Sequence, residues 1–278
     1  MNQRPIGFFD SGLGGLTCVP ALKKLLPNER VIYFGDTART PYGSKSPDTI
    51  RHFALDIVKF LQNQGVKAVA IACNTVTAVA LDFLREKCPG LPIIGVIDPV
   101  AQEMAQRGEK LGKVGVIGTR VTVESAIYEK RLQELNPSLE VRQKACPLFV
   151  HMIEEGLIGN PILDMTIHHY LDEFVEHENL DELILGCTHY HLLEERIAGF
   201  YPELKVINPS EAMAREIKSV LERDEQLAAP REEGQELSDL KDQYYASDLS
   251  DTFIKMIEEI TKGEKAEIHF QSLEHEWT

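Results

Sequence analysis

Short apolar runs alternate with longer stretches of helical period along most of the chain. The runs 5-PIGFFD-10, 30-RVIYFGD-36, 67-KAVAIAC-73 and 92-PIIGVID-98 are bounded by polar punctuation and read as buried strands. Between them, 16-LTCVPALKKLL-26, 47-PDTIRHFALDIVKFLQNQG-65, 74-NTVTAVALDFL-84 and 100-VAQEMAQRG-108 carry the spacing of amphipathic helices. Pro47 near the start of the second of these and Gly65 at its end mark a complete helix. Strand and helix alternate throughout, which predicts a doubly wound parallel sheet.

The pattern then begins again. Strand 113-KVGVIGT-119 is followed by a helix at 122–135, a strand at 140–147, helical stretches at 148–156 and 161–178, and strands at 181–187 and 204–210. Landmarks recur at nearly constant offset: Gly118 lies 108 residues after Asp10, Cys187 lies 114 after Cys73, and Asn208 lies 110 after Asp98. The last pair matches Val-Ile-Asp-Pro with Val-Ile-Asn-Pro, each a capping residue before a proline suited to a first helical turn. The expected fold class is α/β: two pseudo-symmetric doubly wound parallel-sheet domains with the active site in the cleft between them. A helix at 210–223, a strand at 243–247 and a helix at 250–263 are expected to return to the first half. That divides the chain into a first domain of 1–98 with 209–263, a second of 99–208, and a tail of 264–278 without clear pattern. The charged stretch 224–243 reads as an exposed loop.

Composition narrows the function. Of the 278 residues, 43% are hydrophobic and 26% charged, which is ordinary for a folded chain of one large or two modest domains. No apolar run approaches the ~18 residues of a membrane helix, and the N-terminus enters a strand without a signal-peptide pattern. A cytoplasmic location without membrane contact is expected. The net charge of −15 repels phosphate backbones and argues against nucleic acid. Backbone N–H groups at helix starts can still hold a small anion.

The five cysteines, Cys18, Cys73, Cys88, Cys146 and Cys187, are odd in number and widely spaced, so neither a disulfide framework nor zinc-finger spacing is present. Cys187, His189 and His191 form the only close Cys/His group, and a metal there would need ligands from elsewhere in the chain. No metal is expected. Cys73 and Cys187 are set alike: each ends an apolar run after a small residue and precedes two polar residues and a helical stretch. Each thus sits where a strand hands over to a helix, at the strand end that binds ligands in open α/β sheets. A thiolate there can be a nucleophile, a metal ligand, half of a disulfide or a proton base. A hydrolase would leave one of two matched cysteines idle, and a disulfide needs the sulfurs to touch. Two lobes around a ligand instead hold the sulfurs on opposite sides of it, which suits one thiolate removing a proton and one thiol returning it on the other face.

The stretches FFDSGLGGLT, YFGDTARTPYGSKS, AIACNTVTAVAL, GVIGT and LILGCTHYHLLE together resemble the aspartate/glutamate racemase superfamily, over roughly residues 6 to 260. The resemblance implies a cofactor-independent enzyme that interconverts L- and D-glutamate and supplies D-glutamate for bacterial peptidoglycan. It implies that Cys73 acts on the D face and Cys187 on the L face, assisted by Asp10 and His189 respectively, with Glu154 near the second cysteine. Substrate contacts are implied at Asp10, Ser11, Tyr42, Gly43, Asn74, Thr75, Thr188 and His189. Glutamate is the implied partner molecule, and a homodimer is compatible with the resemblance. The chain departs from the family pattern with His151 and His191 in place of proline, and with Asn208-Pro209-Ser210 in place of Asp-Ser-Gly. Aspartate or hydantoin racemisation, and a two-lobed binding protein or thiol sensor, are the competing readings.

Overall fold

The computed structural model describes residues 2–107, 112–229, 241–262 and 266–273. Strands β1 (Ile6–Asp10), β2 (Val31–Gly35), β3 (Ala68–Ile71) and β4 (Ile93–Gly95) pair in the order β2-β1-β3-β4. Strands β5 (Val114–Gly118), β6 (Val141–Ala145), β7 (Glu182–Gly186) and β8 (Lys205–Ile207) pair as β6-β5-β7-β8, the same order repeated. β9 (Gln243–Ala246) and β10 (Glu267–Phe270) extend the first sheet beyond β2, giving one six-stranded and one four-stranded sheet. Every pairing is parallel. The fold is therefore two parallel-sheet α/β domains.

The four strands β1 to β4 are buried along their whole length, as parallel strands covered on both faces must be. The edge strands β6, β8 and β10 carry the exposed and charged positions, which discourages further pairing. Side chains alternate across each sheet. Ile6 and Phe8 face one core while Phe9 joins a second with Phe34, Ile57 and Val69. The first of these cores runs on into the other domain through Val114, Val116, Tyr128 and Ile184. A shared apolar layer thus sets how the two sheets sit against each other. A third core, with Phe149, Leu163, Leu185 and Tyr190, fills the far side of the second sheet.

The helices are α1 (Val19–Leu25), α2 (Pro47–Asn63), α3 (Asn74–Lys87), α4 (Ile97–Gln106), α5 (Arg120–Glu124), α6 (Ile127–Leu135), α7 (Leu148–Glu154), α8 (Pro161–Glu178), α9 (Glu194–Phe200), α10 (Ser210–Arg223) and α11 (Asp251–Ile260). α2 shows how the sequence dictates one: the Ser46 hydroxyl caps it by accepting from the Thr49 N–H at 3.3 Å, Pro47 opens it, and Gly65 leaves it at φ +74°.

Four features differ from the sequence expectation. The single helix expected over 122–135 is split by Ala126 at φ 54°. There the Ser125 hydroxyl donates to the Thr122 carbonyl at 2.6 Å and accepts from the Ile127 N–H, a local alternative to the helix ladder. The stretch after Gly14 opens as a 3₁₀ turn, Gly14–Cys18, before α1. α4 begins at Ile97, earlier than expected, so Asp98 sits in its first turn and pairs with Arg131 at 3.0 Å. The tail, unreadable in sequence, supplies the edge strand β10. Residues 230–240 of the expected acidic loop and 274–278 of the tail lie outside the described residues.

Candidate active site

The carboxyl ends of β1, β3, β5 and β7 meet around one narrow cavity. It is lined by Ser11, Tyr42, Gly43, Cys73, Asn74 and Thr75 from the first half, and by Thr119, Val150, Cys187, Thr188 and His189 from the second. Both singled-out cysteines thus face the same space, each almost completely buried. All five cysteines are free thiols. Of the expected site residues, Asp10 and Glu154 are not on the lining and stand one layer behind it, against Thr188 and His189.

The two junctions are built differently. Cys73 is the N-cap residue of the regular helix α3. Cys187, in fully extended conformation, precedes a 3₁₀ helix, Thr188–Leu193, and α9 follows only afterwards. The Cys73 thiol is 3.4 Å from the Ser11 hydroxyl. Burial, then the neighbouring Asp10 carboxyl, push the Cys73 thiol up to about 12. Cys187 is 3.9 Å from His189 Nδ1, and His189 Nε2 is 2.6 Å from Glu154 Oε1. Burial alone would lower the His189 imidazolium, but its hydrogen bonds and charge interactions with Cys187 and Glu154 outweigh this and hold it at about 10. Asp10 is raised by burial, against the opposing pull of His189 and of hydrogen bonds from Gly12, Gly15 and Thr188.

Hydroxyls cross between the halves in matched fashion. Thr75, two residues after Cys73, meets Thr119 at 2.9 Å, just past the end of β5. Thr188, directly after Cys187, donates to Asp10 at 3.2 Å, at the end of β1. Two glycines let the backbones close. A Cβ on Gly14 would lie 2.6 Å from the Thr188 hydroxyl and 2.8 Å from His189, and one on Gly43 would lie 2.6 Å from the Thr119 side chain. Tyr42 is buried with its hydroxyl on Asp36. Asn74 accepts from the Tyr128 hydroxyl at 2.6 Å, while its buried Nδ2 has no protein partner and is a donor available to a ligand.

Sequence reasoning missed Thr119, Thr122 and Tyr128. The offset that pairs Gly118 with Asp10 also places Thr119 opposite Ser11, so the repeat held a signal for the first of them. Of the two departures from proline, His151 is exposed on α7. His191 is buried, 2.9 Å from the Thr17 hydroxyl. Burial, then the charge on His189, lower it to about 3, so it stays neutral beside that cation.

The sequence pattern of the Asp/Glu/Hydantoin racemase family matches residues 16–217. A glutamate racemase of Geobacter metallireducens is 40% identical over 278 residues, covering 99% of either chain. Another, of Chlorobaculum tepidum, is 47% identical over 223 residues, covering 79% of this chain and 80% of that protein. The solved glutamate racemase of Francisella tularensis, in complex with D-glutamate, superimposes with a TM-score of 0.88 at 38% identity and 99% coverage of both chains.

Proposed function

The chain belongs to the Asp/Glu/hydantoin racemase family as a racemase of the glutamate type, and on that premise we propose that it interconverts L- and D-glutamate by two opposed thiols. The observation that carries this reading is that Cys73 and Cys187 line one cavity from different halves of the chain. In the L-to-D direction the Cys187 thiolate takes the α-proton of L-glutamate, and the Cys73 thiol delivers its own proton to the opposite face. The Cα–H bond on one side breaks, the one on the other side forms, and thiol and thiolate exchange identities. The reverse turnover restores them.

The difficult step is the carbanion next to a carboxylate, which needs preorganised donors aimed at the developing charge. The free Asn74 Nδ2 and the hydroxyls of Ser11, Thr75 and Thr119 surround the cavity for this purpose, while the Thr188 hydroxyl donates to Asp10. Imidazolium His189, fixed by Glu154, supplies a positive charge beside Cys187. Asp10 is the group nearest to a matching role at Cys73. No cofactor takes part in this scheme. The product D-glutamate serves bacterial peptidoglycan synthesis, and the enzyme works in the cytoplasm.

Incubation with L-glutamate in deuterated water tests the reading. Loss of optical rotation together with α-deuterium uptake, absent with L-aspartate, is expected. Unchanged rotation without deuterium uptake overturns it. Growth of a D-glutamate auxotroph on expression of the chain checks the physiological role.

A further inference from the structure

The inner cavity has no lysine or arginine in its lining, and behind it stand the carboxyls of Asp10 and Glu154. The whole chain carries a net charge of −15. A substrate with two carboxylates therefore approaches a surface that repels it, toward a pocket whose only cation is His189. A second and larger cavity, of about 790 Å³, adjoins the first. The two share Pro41, Gly43, Thr119 and Val150 as common walls. The larger one is thus a vestibule, and the Gly43–Thr119 contact, where the two halves of the chain touch, stands between it and the thiols.

The polar residues of this vestibule lie close in the chain to residues of the inner wall. Lys45 caps the 3₁₀ turn Tyr42–Ser44, its N–H donating to the Tyr42 carbonyl at 3.0 Å. Arg120 is the first residue of α5, next to the capping Thr119. His151 follows Val150 on α7. Lys45 comes from one half of the chain, Arg120 and His151 from the other, and Glu124 is the single carboxylate in the lining. Among the described residues, none of the four side chains makes an ion pair. Elsewhere the chain pairs its cations freely, as at Arg39 with Asp36 and Arg215 with Glu103. Two unneutralised cations in a concave, low-dielectric mouth focus the local potential on an approaching anion.

We propose that this vestibule is an outer carboxylate-binding station, in which Lys45 and Arg120 capture the dicarboxylate amino acid from solution and pass it across the Gly43–Thr119 contact to the thiols. The inference rests on the glutamate-racemising reading, and extends it to residues that touch the substrate before the chemistry. Steering of this kind raises association, falls with ionic strength, and leaves the bound-state chemistry alone. It accordingly acts on kcat/KM and not on kcat.

The test uses the full chain with Lys45→Gln/Arg120→Gln, the charge-reversing Lys45→Glu/Arg120→Glu, and the charge-conserving Lys45→Arg/Arg120→Lys. Wild-type kcat/KM for glutamate is expected to fall as sodium chloride rises, at constant kcat. The neutral pair should lose about tenfold in kcat/KM at low salt and lose most of the salt dependence. The reversed pair should lose more and regain activity as salt is added, while the conserving pair should match the wild type. Calorimetric binding of glutarate, which has no α-amino group to direct the reaction, should weaken in the same order. A neutral pair with wild-type kcat/KM, salt response and glutarate affinity overturns the station, as does a loss confined to kcat. A wild type that binds glutarate in this salt-dependent way yet leaves L-glutamate unchanged would instead overturn the racemase reading while keeping the station.

Discussion

The surroundings of Cys73 and Cys187 are two editions of one junction, and their differences matter more than their likeness. Both cysteines end the third strand of a 2-1-3-4 sheet, and each is followed by a hydroxyl that reaches across to the other half. Around Cys73 the charge is a buried carboxyl, Asp10, and the thiol is pushed up to about 12 by burial and that neighbour. Around Cys187 the charge is an imidazolium held by Glu154. A repeated scaffold thus brings two sulfurs to one cavity, with a carboxyl as the neighbour of one and an imidazolium as the neighbour of the other; in the proposed reaction Cys73 is the acid and Cys187 the base in the L-to-D direction. Because mirror-image glutamates have equal free energy in water, kcat/KM must be the same from either side. Damage to one junction therefore slows both directions, and the asymmetry shows only in partial reactions.

The most severe way to break the comparison is to delete either sulfur. Cys73→Ala and Cys187→Ala should each lower racemisation by at least about a thousandfold. The double variant should be scarcely worse, because the pair acts as a unit. Polarimetry reads this directly, and near-normal turnover in either single variant contradicts the pairing. Next comes Gly14→Ala, whose Cβ would press into Thr188 and His189. Displacing the second junction by about an ångström should cost about a hundredfold in kcat, with Cys73 geometry untouched.

Glu154→Gln keeps a hydrogen-bonding group on His189 but removes the charge. It should reduce kcat/KM by about tenfold at neutral pH and bring the alkaline limb of the pH profile down from about 10. An unmoved limb would show that His189 does not depend on Glu154. The smallest effect is on stability. His189 rises from an ordinary value of 6.5 to about 10 on folding. Its contribution is therefore complete below about 6.5 and is lost as pH climbs through about 10. Asp10, also raised, adds a loss of the same sign above its unfolded value. Melting temperatures recorded from pH 7 to 10 should decline less in His189→Asn than in the wild type.

Much of this was legible in the sequence, for physical reasons. Parallel strands covered on both faces must be continuously apolar, so runs such as 5–10 and 30–36 stand out, and α2 carries both its proline start and its glycine stop. The cysteine junctions were visible because a small residue, a cysteine and two polar residues recur at matched positions. What was hidden depends on contacts between distant residues or on local hydrogen bonds with no sequence mark. The break at Ala126 lacks any glycine or proline. The 3₁₀ turn after Cys187 has the same apolar spacing as a helix start. β10 is an edge strand whose residues are only partly buried, so it carries little apolar signal. Tyr128 reaches Asn74 across 54 residues of chain, which no local pattern announces.

Deuterium exchange in the single variants tests the central claim most directly. With Cys187 alone on the L face, Cys73→Ala should place deuterium at the α-carbon of L-glutamate without forming the D enantiomer. With Cys73 alone on the D face, Cys187→Ala should label D-glutamate only. Either variant labelling both enantiomers, or producing the mirror image, would contradict two thiols each confined to one face.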